Sequence, residues 1–242
     1  MESVLDLPAP FRAAGDHIAI DLGGGRVLFT TSRGGSMGKT TGEAPPDVVA
    51  NRRAVEEESG VTLAFAHQVH GTRVVLANGV PGQAPGQAPE QADGQATATR
   101  GVAATVMVAD CLPVALAGEG AVAMVHAGWR GLAAGIIGEG VARLRELGAR
   151  GPVSAAIGPG AGPCCYEVGD EVHAAFSRHG NAVRRGRNLD LKAIAARELD
   201  GAGVQVVHDV GLCTLCSDPS LFFSHRRDRG VTGRQAGLAW LP

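Results

Sequence analysis

The sequence predicts a single α/β domain, a mixed β-sheet with helices packed on it. Three observations lead there. The chain has 242 residues, the length of one large domain or two small ones, and it contains no internal repeat. Hydrophobic residues make up 45% and charged residues 19%, which supports a sizeable core and argues against disorder. Apolar runs of strand length alternate with stretches of helical spacing, in an order that mixes hairpins with crossovers. Aromatics are only 4% against 36 glycines, so the core must be built mainly from Ala, Val and Leu, with many tight turns.

Residues 17–22, 26–32, 62–68 and 72–77 read as short strands. Between the second and third, residues 47–59 read as a helix, with Asp47 after Pro45-Pro46 as its cap. Residues 79–95 (GVPGQAPGQAPEQADGQ) are low-complexity and read as a long surface loop inside the domain. Residues 102–109 and 113–117 read as buried strands, a Gly118-Glu119-Gly120 turn follows, and residues 121–126 return. Leu132, Ile136, Ile137, Val141, Leu144 and Leu147 give residues 128–147 a helical period. A strand (153–157), two helices (168–178 and 189–199), a strand (204–208) and a last strand (235–241) complete the order.

The formal net charge of −2 offers no case for nucleic acid or an anionic membrane. No apolar run approaches the roughly 18 residues of a membrane helix. The start, MESVLDLPAP, lacks the marks of a signal peptide. A cytoplasmic protein, monomeric or homodimeric, is expected. Five cysteines (Cys111, Cys164, Cys165, Cys213, Cys216) are an odd count in such a chain, which argues against a disulfide framework. They are then core residues, metal ligands or nucleophiles.

Several motifs fail on context. Gly34-Gly-Ser-Met-Gly38 fits the nucleophile elbow, but no helix can follow in KTTGEAPP. The same loop misses a phosphate-binding loop because Arg33 stands where its first glycine should be. Gly158-Pro-Gly-Ala-Gly-Pro163 ends in proline where a dinucleotide fingerprint needs glycine. Cys213-Thr-Leu-Cys216 has metal-knuckle spacing without a second Cys-x-x-Cys, and reads as buried or loop thiols.

One constellation survives. AHQVHGTRVV (66–75), VADCLPVAL (108–116) and MVHAGWRGL (124–132) each place a soft ligand at the end of an apolar strand. A hairpin-like return brings Cys111 near His126, and a histidine from His67-Gln-Val-His70 completes a Cys/His/His set. Read as a strand, residues 64–70 put His67 and His70 on opposite faces, so both cannot hold one ion. A thiolate and two imidazoles suit Zn²⁺, and three protein ligands with an open position are the catalytic pattern, which lowers the pKa of bound water to about 7. Two other readings stand beside it: a small core cysteine with an ordinary strand-end histidine, and a metal-free dyad with Cys111 as nucleophile and His126 as base.

At these residues the chain resembles the YfiH family of laccase-domain proteins, also described as multicopper polyphenol oxidases. The matching stretches are TTSRGGS, NRR, HQVHGTRVV, ADG, VADCLPVAL, HAGWRGLAAGI, IGPGAGPCCYEVGDEV, LDLKAIAARELDGAGV, GLCT and FFSHRRDRGVTGRQAGLAWL. They run in family order from about residue 30 to the C-terminus. The resemblance implies one α/β domain over residues 1–242, with a fold likened to a toxin domain bearing a Cys–His hydrolase site. It also implies a zinc site on His70, Cys111 and His126; strand alternation sets His67 with Phe65 and Val69, where it packs or fixes a tautomer rather than ligating. The implied activities are phosphorolysis of adenosine, inosine, guanosine or methylthioadenosine, deamination of adenosine, editing of a peptidoglycan precursor, or laccase-like oxidation. Eight histidines with no His-X-His pair argue against a multicopper centre, although a single Cys/His/His site could still take copper. Two departures stand out: the short KTTGEAPPDVVA replaces a longer family loop, and Gly160 stands where members often carry cysteine.

On this basis the chain is expected to be a zinc-dependent purine nucleoside enzyme, with a nucleoside and phosphate as its small-molecule partners. In deamination, hydroxide on zinc attacks C6 of adenine. In phosphorolysis, phosphate attacks the anomeric carbon, held by Arg33, Arg130 or Arg226. Asn51 and Gln68 are further expected substrate contacts. Asp110 is expected to orient a ligand, shuttle a proton, or cap the turn before Leu112-Pro113. A Cys111 hydrolase acting on a cell-wall precursor is the alternative.

Overall fold

The architecture, taken from a computed structural model, is described for residues 6–38, 45–78 and 90–242. The chain opens with a meander of β1 (Arg12–Ala14), β2 (His17–Leu22) and β3 (Gly25–Phe29), then crosses to α1 (Pro45–Ser59) and the short β4 (Thr62–Ala64). Then come β5 (Val74–Leu76), β6 (Gly94–Thr97), β7 (Val102–Val108), β8 (Leu112–Glu119) and β9 (Ala121–Ala127). Two helices, α2 (Trp129–Ala134) and α3 (Ile136–Glu146), lead to β10 (Arg150–Ile157). The remainder is α4 (Asp170–Ala175), a small hairpin of β11 (Arg184–Arg185) and β12 (Asn188–Leu189), α5 (Leu191–Gly201), β13 (Val206–Asp209) and β14 (Gln235–Trp240).

The large strands form two six-stranded mixed sheets, ordered β1-β2-β3-β14-β7-β4 and β13-β10-β8-β9-β6-β5. They pack face to face, so the fold has four layers. Val55 of α1 covers the outer face of the first sheet, beside Leu28, Leu63 and Leu238. Ile18, Ile20, Phe29 and Val106 meet Ala115, Ala117, Val122 and Met124 between the sheets. Leu132, Ile136, Leu144, Ile194 and Leu199 pack on the far face of the second sheet.

The second sheet is covered on both faces, which explains why β8 and β9 read as unbroken apolar runs rather than alternating ones. Along β8, Leu112, Val114 and Leu116 point to the helices while Ala115 and Ala117 face the first sheet. Along β9 the small residues Ala121 and Ala123 face the helices, and Val122 and Met124 face the first sheet. Alternation then places His126 on the inter-sheet side, at the strand's end. At Gly237 the sheets come so close that a Cβ would lie 2.7 Å from Pro113 Cβ and 3.0 Å from Met124 Sδ. Gly237→Ala is therefore expected to destabilise the chain by about 1–3 kcal/mol through overpacking, read as a lower urea midpoint with an unchanged slope.

Several expectations need correction. Residues 128–147 form two helices, because Gly135 adopts a left-handed conformation (φ 96°) that ends α2 and starts α3. The helix expected over 168–178 is the short α4 followed by a 3₁₀ segment, Ser177–Val183. The strand expected over 62–68 leaves the sheet after Ala64, and only an isolated bridge, His67 to Gln91, follows. Of the loop expected at 79–95, residues 79–89 lie outside the described residues, while Gly94 and Gln95 belong to β6, a strand no expectation included. No described helix is long and apolar enough to cross a membrane.

Candidate metal centre

β8 and β9 pair antiparallel, with Leu112 opposite Ala127 and Pro113 opposite His126. This register brings Cys111, one residue before β8, to the end of β9. The chain after β4 brings His70 alongside them. His70, Cys111 and His126 offer ligand atoms that all lie within 4.8 Å of one another. The two imidazoles meet edge to face, with centroids 4.8 Å apart and planes at 72°. His126 is buried, Cys111 half-buried and His70 exposed, so the group opens toward solvent on one side.

Asp93 is the residue that sequence reasoning missed. It lies just before β6, fully buried. Its Oδ1 accepts from His126 Nδ1 at 2.8 Å and from the His70 backbone N–H at 2.8 Å. Its Oδ2 accepts from the Gly71 N–H at 2.7 Å and the Val69 N–H at 3.1 Å. Its backbone carbonyl accepts from the His126 N–H at 2.7 Å. One carboxylate thus clasps the loop carrying His70 onto the strand end carrying His126. The clasp holds His70 at φ 60°, a left-handed conformation unfavourable for a side chain of this size. Burial opposes its charge, but the hydrogen bonds from His126, Gly71 and Val69 win and hold the carboxyl below its ordinary range. An ionised Asp93 requires a proton on His126 Nδ1, which leaves the other ring nitrogen free to ligate.

Burial alone would raise the Cys111 thiol and lower the His126 imidazole. Their mutual attraction is stronger. Against burial, His126 and His70 pull Cys111 down to about 6, while Cys111 and Asp93 push His126 up to about 9. Two glycines make room for the group. A Cβ on Gly128 would lie 3.0 Å from Cys111 Sγ and 3.2 Å from His70 Cδ2, and one on Gly131 would lie 3.0 Å from the Gly71 carbonyl. The His-Ala-Gly-Trp-Arg-Gly run is therefore a packing requirement as well as a source of one ligand.

The three residues line a cleft of about 470 Å³ together with Gln68, Asp110, Trp129, Arg130, Tyr166, His225, Arg226 and Arg234. Of the expected substrate contacts, Arg130 and Arg226 reach this cleft, stacked over Trp129 (4.4 Å to the centroid) and Tyr166 (4.3 Å). Gln68 lines it too, but its amide pairs with the Met107 backbone, accepting from the N–H and donating to the carbonyl at 2.8 Å each. Arg33 and Asn51 are not among the lining residues. Arg33 lies on the 3₁₀ turn Ser32–Gly34, and Asn51 of α1 donates to the Ser36 carbonyl at 2.9 Å, tying down the Gly34–Gly38 loop. Ser36 itself is buried, its Oγ bonded to Gly38 and Arg234, which is no place for a nucleophile. Asp110 has φ 85° and binds Thr214 Oγ1 (2.7 Å) and the Arg226 N–H (2.8 Å), so it fixes the cleft wall while Asp93 orients His126. His67 lines the cleft outside the ligand group.

The donor set of one thiolate and two imidazoles, oriented by a buried carboxylate, fits a single ion of the Zn²⁺ type. It does not fit a multicopper centre. Among the described residues, the other ligand group is Cys164, Cys165, Cys213 and Cys216, with no histidine in it.

The fold and site define an α/β sandwich protein with a group of three potential soft-metal ligands lining an open cleft. Residues 27–242 match the model of the multi-copper polyphenol oxidoreductase laccase family, and the chain belongs to that family. A purine nucleoside phosphorylase of Xylella fastidiosa (strain Temecula1) is 38% identical over 221 residues, covering 86% of this chain and 84% of the relative. The crystal structure of the hypothetical protein YfiH of Bacillus licheniformis superposes with a TM-score of 0.87 at 29% identity, over 97% of this chain and 100% of the other. That of YlmD from Geobacillus stearothermophilus gives 0.85 at 32% identity, over 97% and 99%.

Proposed function

We propose that this chain is a metal-dependent purine nucleoside phosphorylase, with zinc held by His70, Cys111 and His126. The carrying observation is that the ligand group lines one cleft with Trp129, Tyr166, Arg130 and Arg226. The name of the Xylella relative supports the same reading. The half-buried Trp129 is the aromatic surface suited to a flat base, and the guanidinium forks suit phosphate. A divalent ion held by His70, Cys111 and His126 would supply Lewis-acid chemistry to the reaction. The chain's own residues orient the reactants. Arg130 and Arg226 hold the phosphate so that one of its oxygens faces the anomeric carbon. A bond forms there as the glycosidic bond breaks and its electron pair leaves on the base. Asp93 keeps the His126 Nδ1 proton in place throughout.

A second reading rests on one observation. Cys111, His126 and Asp93 also stand in the order nucleophile, base, orienter. In the metal-free chain this is a cysteine-hydrolase arrangement. The deciding experiment incubates metal-quantified protein with adenosine, with and without phosphate, before and after chelation. Adenine and ribose 1-phosphate, formed only with metal and phosphate, are the expected products. Inosine would mean deamination. Turnover that survives complete metal removal would sink the metal-dependent reading and favour the hydrolase.

The thiolate–imidazolium pair has a measurable consequence. Between pH 6 and 9 the metal-free site holds one proton on His126 that an incoming ion must displace. Zinc affinity should therefore rise about tenfold per pH unit across that window and level off above it, with about one proton released per ion. Calorimetry in buffers of different ionisation enthalpy measures the proton count. A pH-independent affinity between 6 and 9 would contradict the pairing.

A further inference from the structure

The four cysteines that the cleft does not use come together at a second place. β10 and β13 run parallel, with Ile157 opposite Asp209, so the loops that follow them leave the same end of the sheet side by side. A bridge between Gly160 and Cys213 continues the pairing beyond the strands, and the Thr214 N–H donates to the Gly160 carbonyl at 3.1 Å. One loop carries the adjacent pair Cys164-Cys165, the other carries Cys213 and Cys216.

We propose that Cys164, Cys165, Cys213 and Cys216 form a closed tetrathiolate site for a soft divalent cation of the Zn²⁺ type, separate from the cleft. All four sulfurs lie within 4.8 Å of one another, with those of Cys164 and Cys216 3.4 Å apart. A zinc ion with sulfurs at about 2.3 Å needs edges of about 3.8 Å, which this cluster reaches with small side-chain adjustments. Gly162 leaves the space open, since a Cβ there would lie 3.1 Å from Cys213 Cβ and 3.3 Å from Cys164 Sγ. The Gly162 N–H donates to Cys213 Sγ at 3.2 Å. Backbone donors aimed at sulfur are the outer-shell support that metal thiolates use. Cys164 and Cys216 are exposed, so core packing does not account for them. The all-sulfur donor set selects against Mg²⁺ and Ca²⁺, and four protein ligands leave no open position, so the site is structural.

Its place in the fold gives it a job. Tyr166, next to Cys165, lines the cleft, and Thr214, next to Cys213, donates to Asp110 at 2.7 Å in the cleft wall. An ion here staples the two loops that hold that wall.

Two measurements test this. Zinc-reconstituted chain should hold two ions per molecule and Cys216→Ser one. In the same zinc-loaded chain, alkylation of Cys164 and Cys216 should slow more than about tenfold relative to chelated chain, read by peptide mass mapping. If Cys216→Ser does not fold, a cobalt-loaded His70→Ala chain provides the second route, expected to show the charge-transfer absorption of an all-thiolate tetrahedral ion. One ion per full chain with unprotected Cys164 and Cys216 would overturn the site. So would a Cys164–Cys216 disulfide in protein purified under reductant, or a cobalt spectrum without thiolate bands.

Discussion

Cys111→Ser should lower purine nucleoside phosphorolysis by at least about a thousandfold, the equivalent of roughly 4 kcal/mol of transition-state stabilisation supplied through the metal. Serine preserves the size of the side chain but replaces a thiolate, whose pKa lies near 6 in this site, with a hydroxyl that stays protonated at neutral pH. The loss should appear in metal content and turnover together. Folding should be spared, because Cys111 is only half-buried and packs at the margin of the inter-sheet core. A variant that kept its zinc and lost its activity would point to Cys111 as a nucleophile. A variant that kept both would remove Cys111 from the proposed site.

Asp93→Ala should be the most damaging substitution to structure and site at once. It leaves the N–H groups of Val69, His70 and Gly71 without their acceptor, and leaves His126 Nδ1 unpartnered at a buried position. Removing one partner of a buried charged network costs about 3–5 kcal/mol, and losing the carboxylate behind a ligating histidine lowers metal affinity about 10–100-fold. Denaturant melts and zinc competition measure the two effects. Asp93→Asn separates them, because its single acceptor oxygen can keep part of the backbone clasp while withdrawing the charge that orients His126. Unchanged zinc affinity in Asp93→Asn would show that the charge does not matter to the site.

Asp93 also shows where sequence reading stops. It sits at the end of a Pro/Gly/Gln/Ala stretch whose composition signals a loop, although Gln95-Ala-Thr97 just after it already alternates like a strand. What makes Asp93 central is three backbone donors 22–24 residues away and a histidine 33 residues away. No local period encodes that. The separation of His67 from His70 was expected from strand alternation, yet the chain leaves the sheet after Ala64. His70 reaches the ligand group because Asp93 holds its loop in a left-handed turn, a different reason from the one the pattern suggested. For Cys213-Thr-Leu-Cys216 the missing second Cys-x-x-Cys is replaced by an adjacent pair, Cys164-Cys165, that only parallel pairing of β10 with β13 brings alongside.

The sequence by itself determined the class of fold, most of the strands and helices, and the presence of Cys111 and His126 at neighbouring strand ends. Those features depend on hydrophobic period and on a tight hairpin turn, which act over a few residues. The tertiary structure alone decided how the strands divide between two sheets, that Arg130 and Arg226 reach the cleft while Arg33 and Asn51 serve elsewhere, and that four scattered cysteines converge. Those outcomes depend on register between strands far apart in sequence, fixed by close approaches such as Gly237 against Pro113 and by buried hydrogen bonds such as those of Asp93, whose partners no stretch of the chain contains on its own.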